Sequence, residues 1–202
     1  MTGPGTIAPS ELILGGQKSG KSRRAELLAR QWLADSPTHR ALLVATGQPW
    51  DDEMRERIAR HQRDRAERVP GLRTLEEPLD LAGALARHGG PDTMIVVDCL
   101  TLWLTNWLMP ATPDGGEKDL ESKRPPAHDW LGQCAMFLGA IRQALGPVVL
   151  VGNEIGLGVI PMGREVRAFV DALGVLNQRT AEACQRVTLV AAGLPLTLKD
   201  GP

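Results

Sequence analysis

The chain has 202 residues and a nearly balanced charge, with 23 Lys and Arg residues against 24 Asp and Glu residues. This length predicts one large domain with a sizeable core. A formal net charge of -1 gives no electrostatic attraction for nucleic acid or for an acidic membrane, so we expect neither as a partner.

The cysteines and the amino-terminal residues indicate the cellular compartment of the protein. Cys99, Cys134 and Cys184 form no C-x-x-C pair, which is typical of reduced thiols and predicts no zinc site. Residues 1–10 lack the features of a signal peptide, and no apolar run approaches the ~18 residues of a membrane helix. We therefore expect a flexible tail over residues 1–10, a single domain over residues 11–202 and a cytoplasmic protein.

Short apolar runs alternate with segments of helical period along the chain. Continuous apolar strands separated by helices predict an α/β fold with a mainly parallel sheet covered by helices on both faces. Ligands bind such sheets at the carboxyl ends of the strands. The predicted strands are residues 12–14, 41–45, 94–97, 148–151 and 187–191.

The first predicted strand runs into GGQKSGKS, which fits the phosphate-loop pattern G-x-x-x-x-G-K-[ST] and precedes a helical segment. Backbone N–H groups of such a loop surround a β-phosphate, Lys21 can reach the β- and γ-phosphates, and the Ser22 hydroxyl can bind Mg²⁺. The alternative, a glycine-rich turn that matches by chance, does not account for the strand and the helix beside it, so the predicted α/β fold is P-loop NTPase-like. The loop consists of Gly15, Gly16, Gln17, Lys18, Ser19, Gly20, Lys21 and Ser22.

The second predicted helix begins at the acidic run DDE, residues 51–53. Met54, Ile58 and His61 follow at i, i+4 and i+7, on one apolar stripe that faces the protein. This spacing alone favours a packing role for His61 and leaves a catalytic role open. Residues 51–68 hold six arginines and six acidic residues, which indicates a solvated helix with ion pairs rather than a nucleic-acid surface.

Asp98 closes the apolar strand MIVVD. A P-loop needs an acidic residue to complete the magnesium shell, and Asp98 is the candidate; it can also cap the helix that follows. Trp103 and Trp107, one turn apart in that helix, fit a buried core or an interface.

The next stretch, residues 110–129, is rich in Pro, Gly and charge and predicts a long surface loop.

The segment GNEIGLG follows the fourth predicted strand. Asn153 and Glu154 therefore lie at a strand end, where a ligand is expected. The alternative is a tight turn that Gly156 and Gly158 permit.

Several segments together resemble the bifunctional adenosylcobinamide kinase / adenosylcobinamide-phosphate guanylyltransferase family of cobalamin biosynthesis. The resemblance covers about residues 11–199 and implies two reactions. Adenosylcobinamide is phosphorylated by ATP or GTP, and GMP from GTP is then transferred to adenosylcobinamide phosphate through a guanylylated histidine, giving adenosylcobinamide-GDP. The segments are GGQKSGKSRRAE, ATGQPWDDEMRERIARHQ, EEPLDL, VVDCLTLWLTNWL, GNEIGLGVIP and LNQRTAEACQRVTLVAAGLPLTLK.

The resemblance also implies residue roles. His61 matches the histidine of the DDEM-x-x-R-I-x-x-H motif, which makes it the nucleophile, with Lys21 and Asp98 as the other catalytic residues. Ser22 and Asp98 are the implied Mg²⁺ ligands. By similarity, the nucleotide site also includes Ala45, Thr46, Gly47 and Glu76.

Family members assemble as trimers, so the resemblance implies a homo-oligomer. The chain departs from the usual loop GGARSGKS at Gln17 and Lys18, and Lys18 can alter nucleotide preference. Two other interpretations stay open. One is a P-loop small-molecule kinase in which His61 only packs, and the other is a P-loop ATPase module that binds a protein or nucleic acid.

Overall fold

A computed structural model describes residues 6–49, 52–109, 129–159 and 161–201. Asp51 and all but the last residue of the predicted 110–129 loop lie outside these ranges. The elements in chain order are β1 (Ser10–Gly15), α1 (Lys21–Asp35), β2 (Arg40–Ala45), α2 (Asp52–Arg68), β3 (Leu72–Glu76), α3 (Leu81–His88), β4 (Thr93–Asp98), α4 (Leu100–Leu108), α5 (Trp130–Gln143), β5 (Val148–Asn153), α6 (Arg164–Ala183), β6 (Arg186–Ala191) and β7 (Leu194–Asp200).

The strands form one seven-stranded sheet in the order β3-β2-β4-β5-β1-β6-β7. Every neighbouring pair is parallel except β6 and β7, which are antiparallel. The predicted α/β fold with a mainly parallel sheet is therefore confirmed. All five predicted strands are present, whereas β3 and β7 were not predicted.

The sheet is buried on both faces because its apolar side chains alternate between two cores. Leu12 and Leu14 of β1 pack with side chains of α3, α4, α5 and α6. Ile13 between them packs on the opposite face with α1. Trp103 and Trp107 both lie in the first core, which settles their role in favour of packing.

Residues 6–10 lead into β1. β1 begins at Ser10, Ala8 is buried, and the Pro9 carbonyl accepts a hydrogen bond from Val148. Ala8 and Ser10 are therefore buried against the sheet, whereas Thr6 and Pro9 are exposed. Within the described ranges, no helix combines the length and the apolar character needed to cross a membrane.

Candidate functional site

The phosphate loop joins β1 to α1, as the pattern predicts. Gly15 and Gly20 have φ of +154° and +104°, and a Cβ on Gly15 would lie 2.3 Å from the Val190 carbonyl oxygen. Only glycine fits this approach without displacing the backbone. Gly16, Gln17 and Lys18 are exposed at the outer edge of the loop.

Lys21 lies inside the loop. Its ammonium group donates to the Gly16 carbonyl at 2.5 Å and lies 3.5 Å from the Ser19 hydroxyl. Burial lowers the pKa of Lys21, and the negative charge of Asp98 acts in the opposite direction. Lys21 and Asp98 are thus close enough to interact electrostatically.

The carboxyl ends of the neighbouring strands form a continuous row beside the loop. Ala45 at the end of β2 is in register with Asp98 on one side and with Glu76 on the other. Gly15 of the loop is in register with Asn153 at the end of β5. The structure therefore brings these predicted site residues to one edge of the sheet.

The end of β2 is fixed to β4 through Thr46. Its buried hydroxyl donates to the Cys99 carbonyl at 2.7 Å and accepts from the Cys99 N–H at 2.9 Å. Its backbone N–H donates to the Asp98 carbonyl at 3.2 Å. Thr46 therefore acts on the site by holding Asp98 and Cys99 in place.

Asp98 is the last residue of β4, and its side chain is half-buried. The N-cap of α4 is Cys99 rather than Asp98, and no side chain caps that helix. The capping alternative for Asp98 is therefore wrong. Its carboxylate is not used as a helix cap, which is compatible with the metal role that the P-loop suggests.

Three polar side chains that the sequence did not single out hold the strand ends together. The Asn106 amide donates to the Thr46 carbonyl at 2.8 Å and to the Pro78 carbonyl at 3.0 Å. The Thr101 hydroxyl accepts from the Asn153 N–H, and the Asn177 amide donates to the Asn153 carbonyl. The only signal in the sequence is a polar residue in an otherwise apolar helix such as LTLWLTNWL.

Asn153 and Glu154 lie at the end of β5, beside the phosphate loop, and begin a tight turn. The Glu154 N–H donates to the Gly15 carbonyl at 3.0 Å, which places the segment beside the phosphate loop. The Glu154 carboxylate accepts from the Gly156 N–H at 2.8 Å, which closes a tight turn. The turn thus lies at the strand end where a ligand is expected.

Helix α2 covers the other end of the row. Ile58 reaches to within 3.9 Å of where a Cβ on Gly47 would lie, and the Gln62 amide donates to Glu76 at 3.2 Å. His61, between them, is half-buried, as are Met54 and Ile58 of the same stripe. His61 therefore lies near the ends of β2 and β3, which are three and four strand spacings from β1, roughly 14–19 Å.

A phosphate loop between β1 and α1, with an acidic residue ending the nearby strand β4, defines a nucleotide-binding α/β protein of the P-loop class. The chain belongs to the cobinamide kinase / cobinamide phosphate guanyltransferase family, whose model matches residues 11–198. It is therefore an enzyme of a class that combines a kinase with a guanylyltransferase.

The chain is similar over nearly its whole length to named relatives. It is 45% identical over 193 residues to the bifunctional adenosylcobalamin biosynthesis protein CobP of Pseudomonas aeruginosa, covering 95% of this chain and 98% of that protein. It is 36% identical over 190 residues to CobU of Salmonella typhimurium, covering 93% and 98% respectively.

A solved structure shares the fold at low sequence identity. It is the flagellar accessory protein FlaH from Methanocaldococcus jannaschii, with a TM-score of 0.50 and 13% identity over 98% of this chain and 81% of that one. This likeness supports the fold alone.

Proposed function

We propose that the chain phosphorylates adenosylcobinamide with ATP or GTP and then converts the product to adenosylcobinamide-GDP through a guanylyl group on His61. The observation that carries this proposal is the continuous row of strand ends. That row joins the phosphate loop, Asp98 and the ends of β2 and β3 beneath the His61 helix.

In the kinase step, the loop N–H groups and the amino-terminal end of α1 hold the nucleotide phosphates. Lys21 stabilises the charge that develops on the transferred γ-phosphoryl group. A loose transition state needs positioning and electrostatic stabilisation more than a strong base. The burial of Lys21 strengthens the attraction between its ammonium group and the γ-phosphoryl charge. The acceptor is the hydroxyl of the aminopropanol arm of the corrinoid.

The donor set fits Mg²⁺. Ser22 at the start of α1 supplies a hydroxyl and Asp98 a carboxylate, and these hard oxygen ligands suffice where substrate phosphates and water complete the shell. When bound, the ion neutralises phosphate charge. Lys21 and the loop N–H groups also stabilise the negative charge of the phosphates.

In the transfer step, a neutral His61 nitrogen attacks the α-phosphorus of GTP. A nitrogen–phosphorus bond forms and pyrophosphate leaves; an oxygen of adenosylcobinamide phosphate then attacks the same phosphorus and releases the imidazole. Because His61 lies near the ends of β2 and β3, which are roughly 14–19 Å from β1, α2 has to approach the loop or the nucleotide has to shift along the row.

The assembly and its setting form part of the same proposal. We infer a homo-oligomer, a trimer by resemblance, with adenosylcobinamide, its phosphate and the two nucleotides as its ligands. We also infer that it acts in the cytoplasm. The near-neutral charge supports the absence of nucleic acid from this set.

The test uses GTP labelled at the α-phosphate, with Mg²⁺ present, on the wild type, His61→Ala and His88→Ala. His88 is exposed at the end of α3 and serves as the matched histidine control. We expect an acid-labile, alkali-stable label on the wild type and on His88→Ala. His61→Ala should carry no label yet still phosphorylate adenosylcobinamide.

Two outcomes contradict the proposal. Label on His61→Ala at the wild-type level would place the adduct on another residue. An unlabelled wild type that still phosphorylates adenosylcobinamide would reduce the function to a kinase and return His61 to a packing role.

A further inference from the structure

The turn between β6 and β7 lies against the phosphate loop. Ala192 and Gly193 form this two-residue turn, with φ of +50° and +80°. The Gly193 N–H donates to the Ser19 carbonyl at 2.9 Å, and a Cβ on Gly20 would lie 3.4 Å from the Gly193 Cα. The turn is therefore one wall of the loop.

The surface of this turn is exposed, uncharged and open. Residues 191–194 are all exposed, Leu194 to 72%, and residues 187–198 include no charged side chain. A Cβ on Gly193 would meet no atom within 4 Å, so the space over the turn is free. Such a surface offers apolar contact to a flat ring and no side-chain donor or acceptor that distinguishes one base from another.

The groups that react in the proposed function lie on the opposite side of the loop. In the sheet order, β4 with Asp98 and the β2–β3 end with His61 are on the β5 side of β1, whereas the turn is on the β6 side. When the γ-phosphate reacts on the Asp98 side, the nucleoside is at the far end of the triphosphate. The chemistry of the kinase step therefore directs the nucleoside toward the turn.

The geometry points to the β6–β7 turn as the nucleoside subsite for the phosphoryl donor, an inference that rests on the proposed function. A purine nucleoside of this donor packs on Gly193 and Leu194. In the transfer step the reacting phosphate is the α-phosphate, which is attached to the nucleoside. With the nucleotide shifted along the row, the guanosine lies on the His61 side, so the two reactions use different nucleoside positions.

The two positions differ in what they can recognise. The Glu76 carboxylate, linked to the His61 helix through Gln62, can accept hydrogen bonds from the N–H groups of guanine. The turn presents only Ala, Gly, Leu and Pro side chains over residues 191–195. The kinase step should therefore accept ATP and GTP with similar KM values.

The test compares Leu194→Ala with Leu198→Ala, another exposed leucine of β7 about 13 Å along the strand. The measurements are the affinities for ATP and for inorganic tripolyphosphate, the KM of ATP and GTP in the kinase step, and the rate of guanylylation. Losing the apolar contact should weaken ATP and GTP about fivefold to tenfold in Leu194→Ala. Tripolyphosphate binding and guanylylation should not change, and Leu198→Ala should match the wild type.

A second variant, Gly193→Asn, keeps a residue that tolerates the left-handed backbone and fills the open space. We expect this variant to lose more affinity for ATP than Leu194→Ala does, and to keep its affinity for tripolyphosphate. The subsite is refuted if the affinity for ATP is unchanged in both variants. It is also refuted if the affinity for tripolyphosphate falls as much as that for ATP, or if the rate of guanylylation falls as much as the rate of the kinase step. A change of oligomeric mass in Leu194→Ala would also refute it and make the turn a contact between copies.

The inference and the proposed function fail in different ways. A wild type that binds ATP but performs neither reaction would refute the proposed function. The comparison of ATP with tripolyphosphate in the same variants would still decide whether the turn binds the nucleoside.

Discussion

At the scale of single residues, Thr46 shows how much of the site depends on one hydroxyl. Thr46→Val keeps the shape of the side chain and removes its hydrogen bonds to the buried Cys99 backbone. Leaving the Cys99 N–H without this acceptor should cost about 1–3 kcal/mol of unfolding free energy, measured by urea denaturation. Turnover should fall as well, because Asp98 precedes Cys99 in the chain.

Thr105→Val is the matched control. The Thr105 hydroxyl is half-buried and donates to the Thr101 carbonyl one turn earlier in its own helix, so its loss should cost less. Equal losses in the two variants would show that the link between β2 and β4 stabilises the protein no more than a hydrogen bond within one helix.

The three cysteines give a second prediction at this scale. Burial raises the pKa of Cys99 and Cys184 to about 12 and that of Cys134 to about 11. Folded protein at pH 8 should therefore not react with a disulfide reagent, whereas protein in denaturant should release three equivalents. The pKa values of the thiols are higher in the folded protein than the value of about 9 in the unfolded chain. The free energy of unfolding should therefore fall as the pH rises from 9 to 12. Rapid labelling of the folded protein would contradict this.

At the scale of elements, the sequence predicted the strands that are buried on both faces. Those strands, such as β4, are continuous apolar runs. The edge strands were missed because they bury little: β3 reads LRTLE, and β7 contains Pro195 and is almost wholly exposed. The P-loop and Asp98 were found because their signals are local, whereas the contact of Asn106 with Thr46 joins residues 60 positions apart.

Helix α2 differs from the other helices in how it is held. Among its described side chains, no apolar one is fully buried, and Arg65 and Arg68 attach it through Glu26. By contrast, α5 buries Cys134, Phe137, Leu138 and Ile141. Backbone amides of α2 should therefore exchange with deuterium at least about tenfold faster than those of α5.

The same measurement tests the role of α2 in the transfer step. If α2 approaches the loop when GTP is bound, its protection should rise with GTP and Mg²⁺ while that of α5 stays constant. Equal protection of α2 and α5 without nucleotide would show that α2 is fixed and that the nucleotide must shift instead.

At the scale of the whole molecule, a buried ion pair joins the elements around the phosphate loop. Glu11 of β1 is 1% exposed and accepts hydrogen bonds from Arg24 of α1 at 2.9 Å and from Thr188 of β6 at 2.8 Å. Arg24→Met preserves the length of the side chain but leaves the carboxylate with Arg186, 3.9 Å away, as its remaining cation. The loss should be about 3 kcal/mol, at the lower end of the range for buried pairs because Arg24 is partly exposed.

For a chain of 202 residues this corresponds to a Tm lower by roughly 6–12 °C, measured by calorimetry. Arg30→Met, an exposed arginine on the same helix, should change Tm by much less. Adding Glu11→Gln to Arg24→Met should recover part of the loss, because an amide in place of the carboxylate that has lost Arg24 removes a buried charge and still accepts from Thr188. If the double variant is less stable than Arg24→Met, Glu11 stabilises the fold without its arginine, and the pair does not explain how β1, α1 and β6 are held together.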